Sequence, residues 1–169
     1  RIDKDTTGSI IICKNDFSHN HIAEQLKKHS ITRRYHAICY GTFLSQEGTI
    51  SAPIGRHPLD RKKMAVNEKN GKSAVTHYKV LQRFHGYTYI ECRLETGRTH
   101  QIRVHMASIG HPLLGDETYS GGRKSPFKLN GQCLHAKVLG FLHPRTGIYM
   151  ETDAPLPEYF EHLLKVLPD

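Results

Sequence analysis

No stretch of this chain holds enough consecutive apolar residues to span a bilayer, and neither an amphipathic anchor nor a secretory leader is recognisable. No membrane partner is therefore expected. Cysteines are few and widely spaced. Cys13, Cys39, Cys92 and Cys133 never form a Cys-x-x-Cys pair, and each stands in an apolar, strand-like context. They read as small buried thiols, which suits a reducing, cytoplasmic location. The histidines are scattered. No His-x-x-x-His stands beside an acid, and the nearest pairs, His19/His21 and His100/His105, lack a third ligand nearby, so no metal is expected. There is no internal repeat and no low-complexity tract.

Acidic residues are also scarce. Asp plus Glu number 16 against 24 Lys plus Arg, a formal charge of +8, which favours a polyanionic partner such as RNA, DNA or an anionic surface. At 169 residues the chain suffices for one domain with a substantial core. It opens on Arg1-Ile2-Asp3-Lys4-Asp5-Thr6-Thr7-Gly8 without an initiator methionine, and residues 9–13 then form a continuous apolar run, the pattern of a buried central strand. Such a strand needs neighbours, so residues 1–169 are expected to be a domain truncated at its N-terminus. Asp3 and Asp5 taken alone suit a solvated loop or an Asx-turn.

Periodicity sketches the remaining elements. Residues 16–29 read as a surface helix capped by Asp16 or Ser18, with Ile22 and Leu26 as its apolar pair. Residues 31–43 read as a long strand, with Tyr35, Ala37, Cys39 and Gly41 on one face and Arg34, His36, Ile38 and Tyr40 on the other. Residues 48–70 are polar and hold Arg56, His57, Arg61, Lys62 and Lys63. Loops and short strands are expected there, with cations that suit solvent or phosphate. Residues 74–83 and 87–95 form a hairpin around Phe84-His85-Gly86. A basic, glycine-rich loop covers 119–132. Strands follow at 133–142 and 148–152, and a helix near 157–166 presents Phe160, Leu163, Leu164 and Leu167. Antiparallel hairpins with a few helices give an α+β domain: a mixed, mainly antiparallel β-sheet with flanking helices.

The most informative stretch is Leu94-Glu95-Thr96-Gly97-Arg98-Thr99-His100-Gln101-Ile102-Arg103-Val104-His105. It follows an alternating strand and opens a helix. Gly97 frees the backbone to turn, and Thr96 or Thr99 is the candidate cap. Ile102, Met106 and Ile109 form an apolar stripe, with His100, Arg103 and Ala107 on a neighbouring one. Gly110 and Pro112 end the helix. A short helix therefore carries a cation beside the core.

This string, followed by Gly110-His111-Pro112-Leu113-Leu114-Gly115-Asp116 and Tyr119, closely resembles the signature of the RluA-type pseudouridine synthases, which isomerise uridine in ribosomal or transfer RNA. Three other stretches are similar to elements of that family: Arg1 to Gly8, Arg33-Arg34-Tyr35-His36-Ala37, and Gly71-Lys72-Ser73-Ala74-Val75-Thr76-His77-Tyr78. The resemblance implies a mixed, largely antiparallel sheet, with further strands upstream of Arg1. It implies that Asp3 is the catalytic carboxylate, that Arg103 is its ionic partner, and that Tyr35 stacks on the target base. By the same resemblance Arg1 inserts into the RNA stack once the base has left. Ile102 closes the other side of the base or belongs to the core, and Arg98 contacts phosphate or braces the turn.

The chemistry asks for such residues. Pseudouridine formation breaks the N1–C1′ bond, turns the detached uracil and rejoins it through C5. No redox step or external atom enters, so no cofactor is expected. The site must supply a carboxylate near C1′ acting as nucleophile or base, a cation that favours its charged form, a flat surface for the base, and a group to fill the gap left by the flipped nucleotide. A guanidinium at ~4 Å contributes roughly 4 kcal/mol at an effective dielectric of about 20, and stacking roughly 1–3 kcal/mol per base. Asp3, Tyr35 and Arg103 must then converge in space. A non-catalytic RNA-binding module would keep the basic face but has no use for a carboxylate facing an anionic ligand. A nucleoside hydrolase using Asp3 and Asp5 fits poorly, because a small neutral substrate does not call for this charge. The expectation is a monomeric RNA isomerase whose partner is ribosomal large-subunit RNA or transfer RNA.

Overall fold

The computed structural model describes all 169 residues, Arg1–Asp169. In chain order the elements are β1 (Thr7–Gly8), α1 (Asp16–Lys27), β2 (Thr32–Tyr40), β3 (Glu47–Ser51), β4 (Ile54–Arg56), β5 (Met64–Val66), β6 (Val75–Phe84), β7 (Tyr87–Leu94), α2 (Gln101–Ser108), β8 (Leu134–Leu142), β9 (Tyr149–Asp153) and α3 (Glu158–Val166). Seven strands form one sheet in the order β1-β8-β2-β7-β6-β3, with β9 also paired to β8, while β4 and β5 form a separate ribbon. All pairings are antiparallel except β1 with β8. The fold is therefore α+β on a mixed, mainly antiparallel sheet, as the alternation of the strands predicts. No helix is long and apolar enough to cross a membrane.

The pleat sends alternate side chains of β2 and β7 to opposite faces, and each face has its own core. Ala37, Cys39, Ile90 and Cys92 pack with Ile102 and Met106 of α2 and with Leu113. Ile38, Tyr40 and Phe84 pack on the other side with Phe160 and Leu163 of α3, together with Leu167. Fully burying a side chain such as Met106 or Phe160 stabilises by roughly 1.5–3 kcal/mol. β2 ends earlier than its apolar pattern suggests, because Gly41 turns the chain at φ +83.

Residues 9–13 depart most from expectation. They form no strand, and Ile10 and Ile12 are 51% and 80% exposed. The reason lies in β8. Its outer side pairs first with β1 through His135 and Ala136, then with β9 through Val138 to Leu142. After Ser9 N–H donates to Ala136 O, the apolar run has no unpaired edge of β8 to follow. Cys13 is accordingly half-buried, whereas Cys39, Cys92 and Cys133 are buried.

The helix α1 is capped by Asn15, whose side chain accepts from Ser18 N–H, rather than by Asp16 or Ser18. Leu26 is exposed, and Gln25 takes its docking role: its amide donates to Leu142 O and accepts from Leu142 N–H, both at 2.8 Å. Ile109 lies past the end of α2 and is exposed, so the apolar stripe of that helix rests on Ile102 and Met106.

Candidate active site

Two distant stretches meet to form a cleft. The N-terminal segment is registered on β8 by the pairs Thr7↔His135 and Gly8↔Ala136. Gln132 clamps it, donating to Lys4 O at 2.7 Å and Thr6 Oγ1 at 3.1 Å. Thr6 N–H donates to Asp3 O at 3.2 Å, and Asp5 occupies the left-handed region at φ +67. This turn directs the Asp3 carboxylate toward α2.

The β7–α2 junction is ordered by Gln101. Its Oε1 accepts from Thr96 Oγ1 at 2.8 Å and from Arg98 N–H at 2.9 Å, and its Nε2 donates to Val75 O and Thr76 Oγ1, both at 3.0 Å. Neither Thr96 nor Thr99 caps α2. The cap is His100, at φ +56 and with no capping bond from its side chain. Gly97 has no positive φ, and it leaves room for the end of the Arg33 side chain, whose Nη1 a Cβ there would displace. Arg33 in turn donates to Glu95 O at 3.0 Å.

Arg103 is buried and doubly held. Its Nε and Nη2 donate to the Asp116 carboxylate at 2.7 and 3.0 Å, while Nη1 stands 3.6 Å from Asp3 Oδ2. The Tyr119 ring lies 5.0 Å from the guanidinium carbon. Asp116 also accepts from the backbone N–H groups of Thr118 and Tyr119 at 3.0 and 3.2 Å. Burial opposes the Arg103 charge, and the Asp116 bonds with the Asp116 and Asp3 charges outweigh it, so this guanidinium is held above its ordinary value. Tyr35 moves up as well, chiefly through burial with a contribution from Asp3, against the pull of Arg33.

The cleft beside this cluster measures about 640 Å³. Arg1, Asp3, Tyr35, Arg98 and Ile102 line it, and Arg103 stands behind Asp3. The six residues singled out from the sequence are thus gathered in one place. Their attachments differ. Arg1 is exposed, with Nη2 donating to Thr99 Oγ1 at 3.1 Å. Arg98 braces the turn through a 2.9 Å bond to Ser73 O. Ile102 belongs to both the core and the cleft wall. The sequence reading gave no role to Asp116, Tyr119 or His100, although all three stand within or just beyond the signature string. The available signal was physical: an arginine set on a buried helix requires a carboxylate partner.

Residues 1–108 match the family model described as RNA pseudouridylate synthase. An uncharacterized RNA pseudouridine synthase of Bacillus subtilis is 53% identical over 167 residues, covering 99% of this chain and 54% of that protein. The ribosomal large subunit pseudouridine synthase D of Pseudomonas aeruginosa is 47% identical over 178 residues, covering 99% of this chain and 55% of that protein. Among solved structures, human RNA pseudouridylate synthase domain containing 1 superposes with a TM-score of 0.79 at 26% identity, over 100% of this chain and 80% of the human one. The chain spans about half the length of the curated relatives it matches.

Proposed function

The chain belongs to the RNA pseudouridylate synthase family, and on that premise we propose that its cleft converts uridine to pseudouridine within an RNA strand. Asp3 acts at C1′ of the flipped nucleotide, as nucleophile or base. Arg103 pairs with it, and the two Asp116 bonds keep Arg103 from swinging away. Tyr35 offers its ring to the loose uracil, with Ile102 as the opposite wall. Arg1, tethered only to Thr99 at the cleft rim, fills the space left in the RNA stack. Arg98 supports the junction. The exposed cations Arg56, Arg61 and Lys62 are suited to the RNA backbone. No electron or atom enters or leaves, so the reaction calls for no cofactor.

One observation carries the reading: a carboxylate 3.6 Å from a buried, bidentately anchored guanidinium at the cleft. The names of the bacterial relatives favour ribosomal large-subunit RNA over transfer RNA as substrate. Such an enzyme works in the cytoplasm. A single copy carries every residue invoked, which supports a monomer.

The test incubates the protein and Asp3→Asn with ribosomal and transfer RNA transcripts and counts pseudouridine after digestion. Product from the protein in one RNA class and none from the variant is expected. RNA bound by both without product would replace the reading with a binding module, and release of free uracil would replace it with a hydrolase.

A further inference from the structure

We propose that His100 donates a hydrogen bond from Nε2 to the target uracil and holds the negative charge that the base acquires when its bond to ribose breaks. The proposal rests on the isomerase reading and extends it. Three observations converge on this side chain.

His100 is in the left-handed region at φ +56, a conformation uncommon for residues other than glycine, which it shares here with Asp5 and His29. Strain of that kind persists where the surroundings impose it, and it gathers at functional sites. Here it accompanies an imidazole that lines the cleft together with Arg1 and Asp3.

The hydrogen bonds within the protein assign the ring one tautomer. Its Nδ1 lies 2.7 Å from the Tyr119 hydroxyl, whose oxygen accepts the Met64 N–H at 3.0 Å. The hydroxyl proton has one acceptor within reach, His100 Nδ1, so the ring proton sits on Nε2. That nitrogen makes no hydrogen bond in the protein. Arg33 Nε and Tyr40 Oη are the enclosed side-chain polar atoms without a partner. His100 Nε2 is therefore open to the cleft, with its donor unused.

Third, the ring is kept neutral. Burial and the Arg103 charge push its pKa down against the Asp3 and Asp116 carboxylates. A neutral donor does not compete with Arg103 for Asp3.

The reaction supplies a need for this donor. When N1–C1′ breaks, the bond pair leaves with the base. The uracil becomes a monoanion whose charge is shared between N1 and the neighbouring carbonyl oxygens. C5 then bonds to C1′, and the proton lost from C5 is matched by one gained at N1. His100 keeps its proton throughout. A hydrogen bond to a carbonyl oxygen strengthens as that oxygen becomes negative, so it lowers the barrier without tightening substrate binding.

Two substitutions separate this role from a structural one. In His100→Gln the amide nitrogen reaches the place of Nε2. In His100→Asn the amide reaches only the place of Nδ1; it can still face Tyr119, and asparagine tolerates the left-handed backbone. Single-turnover isomerisation, RNA affinity and melting are measured for each. His100→Asn is expected to lose about 100- to 1000-fold in rate with affinity and melting unchanged, and His100→Gln to recover most of that loss. A wild-type rate in His100→Asn overturns the proposal, as do two folded variants that are equally slow. Should His100→Gln fail to fold, the Asn variant decides alone. Absence of pseudouridine from the unaltered protein would instead overturn the isomerase reading beneath.

Discussion

Replacing Asp116 by asparagine should destabilise this protein far more than replacing Asp3, although Asp3 is the residue proposed to act in the chemistry. The Asp116 side chain is fully buried and accepts four hydrogen bonds, two from Arg103 and two from the backbone. Asparagine has the same shape, but its amide can keep the backbone bonds only by turning its own N–H groups toward those of Arg103. That guanidinium then stays buried, with Asp3 at 3.6 Å as its remaining carboxylate. Removing one partner of a buried ion pair costs about 3–5 kcal/mol, and the surviving Asp3 contact sets the expectation at the lower end, about 3 kcal/mol. For a domain of this size that corresponds to a fall in Tm of about 6–12 °C. Asp3→Asn removes only the longer contact and leaves both Asp116 bonds in place, so its cost is expected below about 1 kcal/mol, or under about 4 °C. Thermal unfolding followed by circular dichroism at neutral pH measures both. Asp116→Asn melting within about 2 °C of the unaltered protein, or Asp3→Asn melting lower than Asp116→Asn, would refute the view that Asp116 anchors Arg103 while Asp3 is held for reaction.

Two further expectations follow from the same geometry. Gly8→Ala places a Cβ against the Ala136 backbone at φ +106, so β1 should detach from β8, at a cost of about 1–3 kcal/mol and with a large loss of pseudouridine formation; an active, unshifted variant would contradict the anchoring of Asp3 through β1. His36, His100, His105 and His135 are all held below the ordinary histidine value, mainly by burial. Below an unfolded value of about 6.5 the unfolded chain therefore binds more protons than the folded one, so stability should fall as pH drops through about 6.5 toward 5.5. A urea midpoint that is unchanged or higher at the lower pH would contradict this.

The strands were legible because alternation is a local property. Ile90, Cys92 and Leu94 share a face in any sheet that accepts them, and the β6–β7 hairpin announces itself at His85-Gly86. The run at 9–13 misled because hydrophobicity specifies burial and not a partner, and the partner's edge was taken by β9, which arrives more than 130 residues later. The helix cap was missed for a related reason. Thr96 and Thr99 have the right hydroxyls, but Gln101 engages Thr96 with a side chain that reaches back to β6. The candidate site was legible only as far as the resemblance reached. It supplied Asp3, Tyr35 and Arg103, whereas Asp116 and Tyr119, which hold Arg103, and His100, which borders the cleft, acquire meaning only once distances are known.

The place of β8 has a consequence for the order in which the protein is made. In the sheet β8 stands between β1 and β2, and so between the turn that carries Asp3 and the strand that carries Tyr35. It begins at Leu134, after Asp3, Tyr35 and Arg103 have all been synthesised. A growing chain therefore exposes the side chains proposed to act on RNA well before it holds the strand that spaces them, and the long-range pairings involved are slow to form. On the proposed function, RNA that meets an unfinished chain would meet cations without a catalyst. On the same reading, chemistry can begin only when the penultimate strand slots into the middle of the sheet, so a strand that contributes no proposed reacting group would act as the timer for those that do.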